Sequence, residues 1–181
     1  DELLKALRSP APGLVWQLVD LGLLGACLAP GDASAPREAL DVLPIYARLA
    51  HFCRGLELGG YIMSTDRFLA ALRFDGETLR RTASAVEVLK SGSRDWKRLL
   101  RGHGVAAVLA AHPKTRALRA VLRSGECWEL SSLAIGGREL AALGYSGPEL
   151  GRELRRLLDH VIDYPADNRA DILCKLVERK V

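Results

Sequence analysis

The sequence has little of what marks a secreted or metal-binding protein. Its four cysteines, Cys27, Cys53, Cys127 and Cys174, lie far apart and form no Cys-x-x-Cys pair. This spacing favours neither a zinc framework nor a closely spaced disulfide pattern. It indicates reduced thiols in a cytoplasmic protein.

Long hydrophobic runs are also missing. The longest apolar run, Leu14 to Ala29, is interrupted by Gln17 and Asp20. It is shorter than the roughly 20 apolar residues that span a bilayer, and it lacks the charged start and cleavage site of a signal peptide. We therefore expect no membrane association. The chain opens on Asp1 inside a helical pattern, which suggests a fragment of a longer protein.

Patterns typical of β-strands are absent as well, because no stretch of four or more residues alternates strictly with β-branched or aromatic enrichment. Apolar residues instead recur at three- and four-residue spacing between Gly and Pro. We predict an all-α fold, and 49% hydrophobic content in 181 residues is enough to bury a core. The predicted helices cover residues 2–8, 14–28, 37–54, 64–73, 75–90, 94–101, 104–111, 114–123, 136–143, 148–162 and 168–179.

The net charge of +4 is unevenly distributed along the chain. Residues 1–90 hold 10 basic and 11 acidic residues, a net of −1, whereas residues 91–181 hold 16 and 11, a net of +5. The Ser-Gly-Ser segment at 91–93 is the best candidate boundary. We therefore predict two helical regions, 1–90 and 91–181, the second of them basic.

The basic excess is concentrated between Ser91 and Arg123, where Asp95 is the one acidic residue. On helices, Arg94, Lys97, Arg98 and Arg101 form one basic stripe, and Arg116, Arg119 and Arg123 form a second, both at three- and four-residue spacing. Guanidinium groups bind phosphates in a fork. The alternative is a solvated surface with no ligand. The predicted RNA-binding residues are Arg94, Lys97, Arg98, Arg101, Lys114, Arg116, Arg119 and Arg123.

The last third of the sequence contains clear helix boundaries. Gly144 suits a left-handed helix end, Pro148 suits a first helical turn, and Pro165 ends the helix that follows. Asn168 and Asp171 are placed to cap the last helix. One face of the helix at 148–162 is apolar and predicted to be buried, with Arg152 and an Arg155–Asp159 pair outside it. The apolar face consists of Leu150, Leu154, Leu157, Leu158 and Val161.

The run LAIGGRELAALGYSGPELGRELRRLLDHVIDYPADNRADIL, residues 133–173, resembles the C-terminal region of bacterial CCA-adding enzymes. These are tRNA nucleotidyltransferases of the poly(A) polymerase family. Glu139 stands where the family usually has Asp. Upstream, residues 67–89 and the basic segment from Arg94 are similar to family segments more weakly. Within residues 133–173, the residues that match the family motif are Leu133, Ile135, Gly137, Leu140, Gly144, Gly147, Pro148, Gly151, Leu154, Leu158 and Asn168.

This resemblance implies that the chain is the body and tail of such an enzyme and that tRNA is its partner. An N-terminal catalytic head, a further part of the same polypeptide, would supply the carboxylates that bind Mg²⁺. The first region would be neck and body with a degenerate phosphohydrolase-like segment, because Arg54 and Gly55 stand where many members have His-Asp. We therefore expect no catalytic residue, metal ligand or cofactor in this chain, and His51 is interpreted as a core or surface histidine.

Two alternatives remain open at this point. The first is the C-terminal region of a bacterial poly(A) polymerase of the same family, whose catalytic head would look alike. The second is a helical protein–protein interaction module, in which the basic stripes would be dispensable. Under any of these interpretations the chain alone should not transfer nucleotides, because no paired carboxylates for Mg²⁺ are recognisable in it.

Overall fold

A computed structural model describes residues 2–25 and 27–178, and every regular element within those ranges is helical. The prediction of an all-α fold is confirmed. The helices are α1 (Glu2–Arg8), α2 (Val15–Asp20), α3 (Ile45–Leu58), α4 (Thr65–Ala71), α5 (Gly76–Ser91), α6 (Trp96–Ala111), α7 (Arg116–Ser124), α8 (Gly137–Ala142), α9 (Gly147–Asp163) and α10 (Ala170–Glu178). Short 3₁₀ turns lie at Pro12–Leu14, Leu40–Val42, Leu130–Ser132 and Pro165–Asp167.

Helix α6 is broken at Gly104, whose φ of 77° and ψ of 160° lie outside the helical region. Glycine adopts this conformation without the steric cost that a Cβ would add. The chain forms two compact units, and α6 contributes to both. The first unit contains the residues up to Arg94 together with His103–Thr115; the second contains Asp95–Gly102 and the described residues from Arg116 onward. The composition-based division at residue 90 stays a prediction.

The core of the first unit is built around α3. Phe52, Cys53 and Leu56 on this helix are fully buried. Trp16 packs on Phe52 with ring centroids 4.8 Å apart. Gly55 permits this approach, since a Cβ at that position would lie 2.5 Å from the Trp16 ring. The apolar spacing of α3 thus produces a helix that is buried along most of its length.

Two predicted helices are shorter in the structure, and both differences have a local cause. The helix predicted at 14–28 ends at Asp20, and Gly22 then takes a φ of 68°. The helix predicted at 37–54 begins only at Ile45. Leu43 is extended, with ψ of 144°, because the ring of a following proline, here Pro44, disfavours the helical region.

The segment before α3 is held in place by Arg37. Its guanidinium donates to both carboxylate oxygens of Asp20, at 2.9 and 2.7 Å. It also lies 4.9 Å from the ring centroid of Trp16. A bidentate ion pair and an aromatic contact therefore fix a non-helical segment for which the sequence predicts a helix.

Helix α5 shows how sequence signals set both ends of a helix. The Asp75 side chain accepts hydrogen bonds from the backbone N–H groups of Glu77 and Thr78 at 3.0 and 2.9 Å. Gly92 follows the last residue with a left-handed φ of 61°. These are the N-cap and C-terminal glycine that helices favour, and the prediction of a helix at 75–90 is confirmed.

The second unit packs α8, α9 and α10 around its own core. On α9, the predicted apolar face is buried at Leu157, Leu158 and Val161, while Leu150 and Leu154 are half-buried. Arg152 is exposed, as predicted. The buried residues of this core are Cys127, Ile135, Leu140, Leu157, Leu158, Val161, Ile162, Leu173 and Val177.

The glycines and prolines around α9 act as the sequence predicts. Gly144 has a φ of 93° just after α8. Pro148 lies in the first turn of α9, where a missing N–H costs nothing, and α9 ends at Asp163, two residues before Pro165. These residues set where each helix starts and stops.

In the ranges that the structure describes, no helix combines the length and apolar character required to cross a membrane.

Candidate nucleic-acid interface

The first predicted basic stripe lies at the start of α6, in the second unit. Trp96, Leu99 and Leu100 are buried there, as their spacing predicts. Arg98 is exposed, while Lys97 and Arg101 are only partly so. Arg94 precedes the helix, which begins at Trp96, and belongs to the first unit. Arg94 is therefore not part of the helical stripe, contrary to the prediction.

Lys97 is directed into the second unit. Its Nζ donates to the carbonyl oxygen of Ile162 at 3.2 Å and forms an ion pair with Glu126. Its side chain is only 16% exposed. An ammonium group bound in this way fixes the start of α6 to the end of α9, and it is poorly placed to reach a phosphate.

Arg98 and Arg101 are paired with acidic residues near the end of α9. Arg98 binds both carboxylate oxygens of Asp163, at 2.8 and 3.0 Å, and also Asp95 at 2.5 Å. Hydrogen bonds to Asp95 and then to Asp163 raise the pKa of the Arg98 guanidinium above its ordinary value. Arg101 forms an ion pair with Asp159. These acids compensate a stripe that looks uncompensated in the local sequence.

The pairing of Asp159 corrects one further prediction. The sequence favours an ion pair with Arg155, four residues earlier on the same helix, but the carboxylate binds Arg101 instead. A partner on another helix can approach Asp159 closely while Arg155 stays in solvent, and exposed pairs within one helix contribute little.

The second predicted stripe lies on α7 and is more open. Arg116, Arg119 and Arg123 are all exposed, and their positions span about 60° of the helix circumference. Leu118, on the opposite face, is fully buried. Helix α7 has no acidic residue, and Arg116 and Arg123 form no ion pair with any residue that the structure describes.

Further contacts of α7 are local. Arg123 Nε donates to the carbonyl oxygen of Arg119 at 3.1 Å, one turn earlier. This bond keeps the Arg123 side chain along the helix surface. Away from the arginines, Val121 and Leu122 of α7 are half-buried and Ala117 is exposed.

Lys114 is exposed just before α7 and belongs to the first unit, as does Arg94. The eight predicted residues are thus divided between two units. Within the second unit, the structure brings together the α7 arginines on one exposed face and places the α6 cations beside carboxylates. The α7 face is the stronger candidate for binding an external anion.

The motif residues of the last third have roles in folding. Ile135, Leu140 and Leu158 are buried in the second core. Asn168 binds the preceding loop: its Oδ1 accepts from the backbone N–H of Ala134 at 2.8 Å and its Nδ2 donates to the Ser132 carbonyl at 2.9 Å. Its side chain thus holds the loop after α7 rather than capping α10, which corrects the prediction.

His51 is a buried histidine of the first core. Its Nε2 lies 3.2 Å from the carbonyl oxygen of Ala111, which can only accept a hydrogen bond. Burial lowers the pKa of His51 below its ordinary value. In the part of the chain that the structure describes, no three His, Cys, Asp or Glu side chains gather in a way that could hold a metal ion.

Comparison with known proteins adds no family assignment. No family model matches the chain, no curated protein matches it, and no solved structure matches it.

The sequence indicates only in part which carboxylates pair with Lys97, Arg98 and Arg101 of α6. Asp159 and Asp163 lie four residues apart and so share a face of α9. That spacing predicts two neighbouring carboxylates on α9, but it does not predict that α6 is the helix with which they pair. Glu126 carries no such signal, because it lies in a loop between α7 and α8.

Proposed function

We propose that the chain binds tRNA as the body and tail of a CCA-adding nucleotidyltransferase. In this role it holds the acceptor and TΨC arms while an N-terminal catalytic head adds CMP and AMP to the 3′ end. The motif resemblance of residues 133–173 supports the family. The single observation that carries the RNA-binding role is the exposed arginine face of α7.

The α7 face suits the backbone of an RNA helix. Arg116 and Arg123 lie about 10 Å apart along the helix axis, and Arg119 lies between them on the same face. Guanidinium groups bind phosphate oxygens in a fork, and A-form RNA is recognised mainly through its shape, phosphates and 2′-hydroxyls. Contacts of this kind accept every tRNA, because phosphate contacts position the ligand without identifying bases.

The α6 stripe contributes less under this proposal. Lys97 is committed to Glu126 and the Ile162 carbonyl. Arg98, with 51% of its side chain exposed, is paired with Asp163 and would have to exchange a carboxylate for a phosphate. We therefore rank Arg116, Arg119 and Arg123 above Lys97, Arg98 and Arg101 as RNA contacts.

The direct test measures binding of the chain to an unmodified tRNA transcript by gel shift. The test variant is Arg116→Gln/Arg119→Gln/Arg123→Gln. The matched control removes the same number of charges from exposed positions of the first unit: Lys5→Gln/Arg67→Gln/Arg80→Gln. The α7 variant is expected to weaken binding at least tenfold, and the control less than threefold.

Three outcomes would count against the proposal. Absence of tRNA binding by the unmodified chain would remove the RNA role and favour the interaction module. Equal losses in the two variants would show that net charge, and not the α7 face, drives binding. Incorporation of CMP or AMP by the chain alone would contradict the assignment of catalysis to a separate head.

A further inference from the structure

A pocket with a volume of about 550 Å³ opens in the first unit between α1, α3, α5 and the part of α6 that follows Gly104. This volume lies within the range of about 300 to 1,000 Å³ that small-molecule sites occupy. None of the basic stripes lines the pocket, so it is separate from the proposed RNA surface.

The pocket is lined largely by apolar side chains. Leu7 and Leu49 are buried in its walls, and Leu109 is half-buried. Ile45 and Tyr46 also line the pocket, each 57% exposed. Exposed apolar surface arranged around a concavity marks a binding site more often than singly scattered residues do.

Helix α5 contributes a polar stripe to the same pocket, with Thr78, Arg81 and Thr82 at three- and four-residue spacing. Thr82 is only 7% exposed, so its side chain belongs to the wall of the pocket. A threonine hydroxyl can both donate and accept a hydrogen bond. Thr82 is therefore suited to hydrogen-bond a ligand in the pocket.

Two arginines give the pocket a positive charge. Arg81 forms an ion pair with Glu77 at 2.5 Å. Arg8 lines the pocket too, and it has no acidic partner among the described residues. The lining residues include no acid. Because Glu77 compensates the charge of Arg81, the positive charge that remains uncompensated in the lining is that of Arg8.

We propose that this pocket binds a small amphipathic organic anion, with an alkyl or aryl body and one carboxylate. The apolar body lies against Leu7, Leu49 and Leu109. The carboxylate accepts from Arg8 at the rim, and the Thr82 hydroxyl donates to a ligand oxygen. The apolar lining favours the body, and the uncompensated arginine favours a monoanion over a neutral molecule.

The test uses octanoate and 1-octanol as probes of equal chain length, titrated into the chain and followed by amide chemical shifts in ¹H–¹⁵N spectra. Octanoate should bind saturably, shift the amides of Leu49 and Thr82, and bind at least tenfold more tightly than 1-octanol. Arg8→Gln should weaken octanoate binding at least fivefold and leave 1-octanol binding within twofold. Ala106→Trp, at an exposed position that lines the pocket, should abolish both.

Arg67→Gln is the control, since Arg67 is exposed and does not line the pocket. It should leave octanoate affinity within twofold. Equal affinity for octanoate and 1-octanol would overturn the proposed anion selectivity. Binding that survives Ala106→Trp in a variant with an unchanged circular dichroism spectrum would place the ligand elsewhere. If octanoate did not bind, and an uncharged amphipathic helical peptide bound at the same residues, the pocket would be a protein-docking groove and the proposal would be wrong.

Discussion

The Lys97 ammonium nitrogen lies 3.2 Å from the carbonyl oxygen of Ile162, near the C-terminal end of α9. The same nitrogen forms an ion pair with Glu126. One lysine thus joins the start of α6, the loop after α7 and the end of α9 within the second unit. A residue with the sequence signature of a phosphate contact has a structural role.

This role predicts a stability loss on removing the Lys97 charge. Lys97→Met keeps the aliphatic stem but leaves the Ile162 carbonyl and the Glu126 carboxylate without their donor. We expect a cost of about 1 to 3 kcal/mol in the free energy of unfolding, measured with urea. Arg116→Met, on the exposed face of α7, should change it by about 0.5 kcal/mol or less. Equal small effects would mean that Lys97 is an ordinary surface cation.

The orientation of α9 gives a second prediction. Leu158 is 1% exposed in the second core, whereas Leu154 is half-buried. Leu158→Ala should lower the free energy of unfolding by about 2 to 5 kcal/mol, since it removes buried methyl groups and leaves a cavity. Leu154→Ala should cost less, and Arg152→Ala about 0.5 kcal/mol or less. Denaturant melts of the three variants check this order, and equal losses would mean that the helix faces another way.

Asn168 provides a test of the loop that follows α7. Asn168→Ala removes the hydrogen bonds to Ala134 and Ser132 and should cost about 1 to 2 kcal/mol in thermal melts. Asn168→Asp keeps an acceptor for the Ala134 N–H but places a carboxylate near the Ser132 carbonyl, so it should not restore stability. If the aspartate variant is as stable as the unmodified chain, the donor contact to Ser132 has no energetic role.

The sequence predicts the features of this fold that depend on neighbours along the chain. The α5 boundaries follow from Asp75 and Gly92, and the buried face of α9 follows from the spacing of Leu157, Leu158 and Val161. Both are set within a few residues by capping and periodicity. Such signals do not depend on the rest of the molecule.

Sequence could not predict the contacts that define the candidate site, because these join distant segments. Arg98 and Asp163 are 65 residues apart in sequence, and Arg101 and Asp159 are 58 residues apart. A charge count in a local window therefore finds eight cations and one acid, while the folded unit places carboxylates beside three of the cations. Helix α7 itself carries no acid, and Asp159 and Asp163 of α9 are paired with Arg101 and Arg98 of α6.

Two histidines of the first unit, His51 and His112, predict a dependence of stability on pH. Burial lowers the pKa of His51 and of His112 below the ordinary value of 6.5. As pH falls through 6.5, the unfolded chain takes up protons that the folded chain does not, so stability decreases toward the folded-state pKa. The melting temperature should fall between pH 7.5 and pH 5.5. The decrease should be smaller in His51→Gln and smaller again when His112→Gln is added. An unchanged pH dependence in the double variant would contradict the role of these histidines.

The last prediction tests the α7 face through salt. Each phosphate that is neutralised releases condensed counterions, so log K should fall with log salt by about 0.7 to 0.9 per contact, and three arginines account for about −2 to −3. Replacing Arg116, Arg119 and Arg123 by Gln should flatten the slope by about two, and replacing Arg98 and Arg101 should flatten it less, since Asp163 and Asp159 already neutralise them. Both effects should be the same for different tRNAs, because phosphate contacts carry no sequence information.

The measurement is tRNA affinity at several salt concentrations, with the Lys5, Arg67 and Arg80 control variant beside it. If the Arg98 and Arg101 variant changed the slope more than the Arg116, Arg119 and Arg123 variant, the α6 arginines would be the stronger RNA contacts. This result would show that RNA phosphates displace Asp159 and Asp163 of α9.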